Sequence, residues 1–76
     1  MFVLLYADGT QFPLTAQNVV NLIDGNTLFY EDTYMECKVL RWTNYMIVCP
    51  RGIDWRQHVL DATGFRPPIG VIHHNA

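Results

Sequence analysis

The amino-acid sequence predicts a small α+β domain, a small antiparallel sheet with two short helices packed on one face. Short apolar or alternating segments follow one another through tight-turn signals, as antiparallel strands do. Two other segments have apolar residues at helical spacing, a capping residue at the start and a glycine at the end. The 76 residues are therefore predicted to form a single domain, residues 1–76, in the order β-β-α-β-β-β-α-β.

The N-terminal segment predicts a hairpin. Phe2–Tyr6 is an apolar strand, and Asp8-Gly9 after it is a signal for a two-residue turn. Gln11–Leu14 is the return strand. Proline has no amide hydrogen to donate to a neighbouring strand, so Pro13 confines this strand to an edge of the sheet.

A helix and a third strand follow. Thr15 can cap the free amides of the first helical turn, and Gly25 can end the helix. The apolar stripe that packs on the sheet has three members: Val19, Leu22 and Ile23. Residues 27–30 are predicted as the third strand, and the polar residues 31–33 as the turn after it.

Residues 35–50 are predicted as the central hairpin, and its turn decides which residues pair. A two-residue loop at Thr43-Asn44 would leave Cys37 and Cys49 out of register, whereas a three-residue loop that includes Trp42 would place the cysteines opposite each other. We favour the three-residue loop because it collects the apolar residues of the first arm on one face. A cross-strand disulfide is then geometrically possible, although in a reducing compartment we favour two packed thiols.

A second helix and a short last strand complete the prediction. Asp54 caps the helix and Gly64 ends it. Its inward stripe has three members: Trp55, Val59 and Ala62. Residues 69–72 are an apolar run predicted to pair as a strand, either within the chain or with another copy. The tail at residues 73–76 is expected to fray.

Composition limits the classes of function. The chain is 50% hydrophobic and 16% charged, with a net charge of −2; an apolar surplus of this size favours self-association or burial against a partner, and the weak charge makes nucleic acid an unlikely partner. No apolar run is long enough for a membrane span, so no membrane association is expected. Two cysteines and the absence of a signal-peptide pattern at the N-terminus predict a cytoplasmic protein.

No motif in the sequence predicts catalysis. A nucleophile elbow, a glycine-rich phosphate loop and a carboxylate pair are all missing. The possible metal ligands have no metal-site spacing: Cys37, Cys49, His58, His73 and His74. We therefore predict that the protein is not an enzyme and has no cofactor and no metal.

The strongest functional signal is the tip of the central hairpin. Arg41, Trp42, Asn44 and Tyr45 lie within five consecutive positions, and Arg, Trp and Tyr dominate binding hot spots because they offer large contact areas at low entropic cost. We predict that these four residues bind a partner. The alternative is that Trp42 and Tyr45 form a cross-strand aromatic pair that only stabilises the hairpin.

The sequence thus predicts a non-catalytic protein-binding module that also forms a homo-oligomer. By analogy, small motif-free chains of this kind are often viral or mobile-element inhibitors of a host enzyme or defence complex. One alternative is a nucleotide-like ligand held between protomers by Tyr30, Tyr34, Trp55 and Arg56, with Trp42. A second alternative is single-stranded nucleic acid stacked on the sheet aromatics, although the basic excess typical of such proteins is missing.

Overall fold

A computed structural model describes residues 1–68 and 71–72. Within them the elements follow in the predicted order: β1 (Phe2–Tyr6), β2 (Gln11–Leu14), α1 (Ala16–Gly25), β3 (Tyr30–Tyr34), β4 (Cys37–Arg41), β5 (Tyr45–Val48), α2 (Trp55–Thr63) and β6 (Val71–Ile72). The strands form one sheet in the order β2-β1-β5-β4-β3-β6. Five are antiparallel, while β6 pairs in parallel with β3. The predicted α+β class is confirmed.

The structure describes part of the predicted last strand, residues 71 and 72. The pairing of Val71 with Tyr30 and of Ile72 with Glu31 places two residues of the predicted last strand within this chain's own sheet. Residues 69 and 70, and the tail at 73–76 that was expected to fray, lie outside the described residues.

The core lies between one face of the sheet and the two helices. The buried residues of the sheet face are Phe2, Leu4, Leu40, Trp42, Ile47 and Cys49. Those of the helices are Val19, Val20 and Ile23 in α1 and Trp55 and Val59 in α2. Both helices therefore cover the same face, which we call the covered face. Over the opposite, uncovered face the described residues place no helix. Neither described helix is long and apolar enough to cross a membrane.

The helix ends follow the predicted capping chemistry. The Thr15 hydroxyl accepts from the Asn18 amide and the Asn18 side chain accepts from the Thr15 amide, both at 3.1 Å, which is a complete capping box. Asp54 accepts from the amides of Arg56 and Gln57. Gly64 closes α2 in the left-handed conformation, with φ 77°.

The first hairpin has a three-residue loop, so the predicted two-residue turn is wrong. Leu5 pairs with Gln11, and the Tyr6 amide donates to the Thr10 carbonyl at 2.9 Å. The loop is residues 7–9. Gly9 takes φ 92°, the left-handed position that ends a three-residue hairpin loop and that glycine adopts without steric penalty.

The third strand begins three residues later than predicted and includes the predicted turn at residues 31–33. Two polar residues are held in the strand by partners on opposite faces: Glu31 accepts from the Trp55 indole at 2.8 Å, and Asp32 lies 3.6 Å from Arg41. The turn is formed instead by Met35 and Glu36, with φ 50° and 68°.

The central hairpin has the register that we did not favour. Leu40 pairs with Ile47, and the Trp42 amide donates to the Tyr45 carbonyl at 2.9 Å, so the loop contains only Thr43 and Asn44. This register buries Leu40, Trp42 and Ile47 together under the helices. The stabilisation from burying these three side chains exceeds that from collecting the apolar residues of the first arm on one face. Cys37 consequently faces the uncovered side and Cys49 the core, so the cross-strand disulfide is excluded.

Candidate binding cleft

A cleft of about 440 Å³ lies where the two hairpin tips project from the same end of the sheet. The tips are neighbours because Tyr6 pairs with Tyr45 between β1 and β5. The cleft is lined by Leu5, Tyr6, Ala7, Gly9, Gln11, Tyr34, Arg41, Trp42, Thr43, Asn44, Tyr45 and Met46.

One row of lining side chains runs across four strands: Gln11, Leu5, Met46 and Arg41. Their strand neighbours Leu4, Ile47 and Leu40 belong to the core under the helices. Because successive side chains of a strand point to opposite faces, the row lies on the uncovered face. In the part of the chain that the structure describes, no helix covers the cleft on this side of the sheet.

Among the described residues, Arg41 is the only charged one that lines the cleft. Its side chain is 31% exposed, and its Nε lies 3.6 Å from the Asp32 carboxylate, which is too long for a hydrogen bond. This Nε is buried and has no hydrogen-bond partner among the described residues. The Nε is therefore screened from solvent, and the exposed part of the Arg41 side chain borders the cleft.

The aromatic residues of the tip are braced from behind. Tyr45 stacks on Trp42 with ring centroids 5.2 Å apart and planes at 24°. Trp42 contacts Phe29 at 5.2 Å, and its indole donates to the Asn26 carbonyl at 3.0 Å. The cross-strand aromatic pair is therefore present. Since Trp42 is only 6% exposed, it anchors the cleft wall and offers little contact area of its own.

The structure brings the predicted partner-binding residues together, because Arg41, Trp42, Asn44 and Tyr45 all line the cleft. It does not bring together the predicted ligand-binding set, of which Tyr34 and Trp42 line the cleft and the remaining residues do not.

The other three members of that set lie elsewhere. Trp55 is buried in the core, and Arg56 donates to the Pro67 carbonyl at 2.7 and 3.3 Å. Arg56 borders a separate pocket of about 70 Å³. Tyr30 lines neither the cleft nor this pocket.

Sequence reasoning missed the half of the cleft that comes from the first hairpin. Its contributors are Leu5, Tyr6, Ala7, Gly9 and Gln11. The turn signal at Asp8-Gly9 marks a projecting tip, but nothing local indicates that β1 pairs with β5. The second half of the cleft therefore depends on a long-range pairing.

Two features of the described residues bear on nucleophilic and metal chemistry. Burial raises the pKa of the Cys49 thiol from its ordinary value of 9.0 to about 12, which opposes thiolate formation. Among the residues that the structure describes, no three His, Cys, Asp or Glu side chains are grouped to hold a metal ion.

Comparisons of the chain with protein-family models, with curated proteins and with solved structures found no match in any of the three. The cleft is therefore interpreted from its own geometry.

Proposed function

We propose that this protein is a non-catalytic binding module that recognises another protein through the cleft between its two hairpin tips. The observation that carries the proposal is a single concavity at the two hairpin tips whose described lining includes three tyrosines, two side-chain amides and one guanidinium: Tyr6, Tyr34, Tyr45, Gln11, Asn44 and Arg41. Tyr and Arg dominate protein-binding hot spots when they lie in such partly desolvated settings.

The bracing of the cleft supports this role. Tyr45 is held between Tyr6, at a centroid distance of 5.8 Å, and Trp42, at 5.2 Å. A ring that is already fixed loses little conformational freedom when a partner contacts it, so more of its contact energy appears as affinity.

The surroundings of the cleft also fit a macromolecular partner. Apolar side chains continue the uncovered face beyond it, and Val3 and Val48 there are half-buried. A protein segment can lie over both the cleft and this surface, whereas a small molecule would use the cleft alone. The prediction of a host enzyme or defence complex as the partner, the prediction of self-association and the predicted cytoplasmic location stay predictions.

A second candidate is a small planar anion bound in the cleft of one protomer. The volume of about 440 Å³ favours it, since pockets for small ligands span roughly 300–1,000 Å³. A panel of mononucleotides in a thermal-shift assay tests it, because a ligand at one hundred times its Kd stabilises the fold by about 2.7 kcal/mol.

The test of the protein-binding proposal compares two arginine substitutions of equal charge. Asn44→Arg fills the mouth of the cleft, and Gln17→Arg adds the same charge to an exposed site on α1. We expect proteins captured from a host extract by the wild type to be lost with Asn44→Arg and kept with Gln17→Arg, while both variants retain the wild-type melting temperature. Equal capture by both variants would contradict the proposed site.

A further inference from the structure

We infer that the partner segment entering the cleft carries a carboxylate that pairs with Arg41, next to an apolar or aromatic side chain. The inference rests on the proposed function and names the chemistry of the partner at the same site. It is drawn from the charges around Arg41 and from the residues in its row.

The charge pattern of the cleft calls for an anion. Arg41 is the only charged residue in the described lining of the cleft. Asp8 belongs to the neighbouring loop but does not line the cleft, and its carboxylate accepts from the Thr10 amide at 2.8 Å. Asp32, with a side chain that is 44% exposed, stays 3.6 Å from the Arg41 Nε. Among the described residues, the only ion pair of Arg41 is this long contact with Asp32, and the guanidinium borders an otherwise neutral concavity.

The hydrogen bonds left unmade at Arg41 point to the same ligand class. A buried N–H group without an acceptor is unfavourable, and the Nε of Arg41 is such a group. A carboxylate matches the planar guanidinium with two parallel hydrogen bonds, which a neutral carbonyl or a hydroxyl cannot do. Because the Nε itself is buried, a partner carboxylate would pair with the terminal Nη groups of the guanidinium, whose side chain is 31% exposed.

The residues beside Arg41 specify what accompanies the carboxylate. Met46 and then Leu5 follow Arg41 in the same row, with Tyr34 and Tyr45 at the cleft border. In an extended segment, side chains two residues apart point the same way and are about 7 Å apart. This distance lies between one and two spacings of neighbouring strands, and Met46 and Leu5 lie one and two strands away from Arg41. An acidic residue at position i of the partner segment can therefore reach Arg41 while an apolar residue at position i+2 contacts Met46 or Leu5.

The experiment is a selection of random peptides displayed against the wild-type protein. We expect enriched peptides that carry Asp or Glu two positions from an aromatic or large aliphatic residue. A synthetic peptide of this kind should bind Arg41→Gln and Arg41→Lys at least about tenfold more weakly, as charge-assisted hydrogen bonds predict. Its amide counterpart should bind the wild type equally weakly. Asp32→Asn should bind the acidic peptide more tightly, because the competing carboxylate is gone.

The outcomes separate the two proposals. Peptides that bind, lose affinity with Asn44→Arg and yet show no acidic preference would overturn the carboxylate inference and leave the protein-binding function standing. A selection that enriches no peptide would overturn both. Displacement of the peptide by a mononucleotide, or by formation of a dimer of the protein itself, would assign the cleft to a small anion or a second copy and so overturn the inference as well.

Discussion

The two faces of the sheet differ in what their residues do, although both are built by the same strands. On the covered face Ile47 is fully buried and Glu31 hydrogen-bonds the Trp55 indole. One residue further along each strand, on the uncovered face, Val48 is half-buried and Asp32 stays 3.6 Å from Arg41. Because successive side chains of a strand point to opposite faces, most of the buried sheet residues lie on the covered face, and Val39 is the fully buried exception on the other.

This difference indicates where the sequence tolerates change. Side chains of the covered face are fixed by packing and by specific hydrogen bonds, so their loss leaves cavities or unpaired donors. Most side chains of the uncovered face keep contact with water, although Val39 is fully buried there. Four predictions test this contrast, beginning with the largest effect.

The largest expected change in stability is the difference between substitutions at two adjacent residues of β5. Ile47→Ala should lower the free energy of unfolding by about 2–5 kcal/mol, because it leaves a cavity in the core. Val48→Ala should lower it by about 1 kcal/mol, because a half-buried side chain loses less burial. Urea denaturation of both variants measures the difference. Equal losses for the two variants would mean that the uncovered face is packed as tightly as the covered face.

The next effect depends on pH and concerns Cys49. Burial holds the pKa of this thiol at about 12, so above its ordinary value of 9.0 the unfolded chain ionises while the folded chain does not. Stability contributed by this group is complete below pH 9 and is lost as the pH rises towards 12, by about 1.4 kcal/mol per pH unit. Urea denaturation at pH 8 to 10.5 measures the slope.

The control for that slope is Cys49→Ala, which should show a shallower decline because every other titrating group is shared. Iodoacetamide at pH 8 adds a chemical check, since half-buried Cys37 on the uncovered face should be alkylated well before Cys49. Identical slopes for the two proteins would contradict the burial of this thiol.

A smaller effect is expected from the two neighbouring acids of β3. Glu31→Ala should cost about 1–2 kcal/mol, because the buried Trp55 indole loses its acceptor, and Glu31→Gln should restore much of it. Asp32→Ala should change stability by less than about 0.5 kcal/mol, because ion pairs this exposed contribute little. Thermal unfolding of the three variants ranks their losses of stability. A larger loss for Asp32→Ala than for Glu31→Ala would contradict the placement of Glu31 on the covered face and Asp32 on the uncovered face.

The smallest effect lies in the turn between β3 and β4, which belongs to neither face. Met35 is 77% exposed and has φ 50°, a conformation that asparagine tolerates better than methionine. Met35→Asn should therefore add about 0.5–1 kcal/mol to the free energy of unfolding. The gain should be the same in the Ile47→Ala and Val48→Ala backgrounds, since distant substitutions add independently.

The helix ends could be predicted from the sequence because their signals are local. Thr15, Asp54 and Gly64 mark helix ends through the conformations of their own residues, and these were correct. The register of the central hairpin depends instead on which side chains the helices bury. Trp42 belongs in the core because Phe29 and the Asn26 carbonyl meet it there, and no local pattern contains that information.

The candidate site divides in the same way. Residue type and closeness in sequence were enough to select Arg41, Asn44 and Tyr45, which line the cleft. The role of Leu5 and Gln11 follows only from the pairing of β1 with β5. That pairing joins residues some forty positions apart, and composition does not reveal it.

The aromatic contacts of the covered face form a continuous chain from the sheet edge to the second helix. Ring centroids 5.2–6.4 Å apart connect Phe12, Tyr6, Tyr45, Trp42, Phe29 and Trp55. Because the Tyr45 and Trp42 rings stack with centroids 5.2 Å apart, we expect a molecule bound against Tyr45 to change the fluorescence of the tryptophan beside it. Intrinsic fluorescence would then report binding at the cleft without an attached dye.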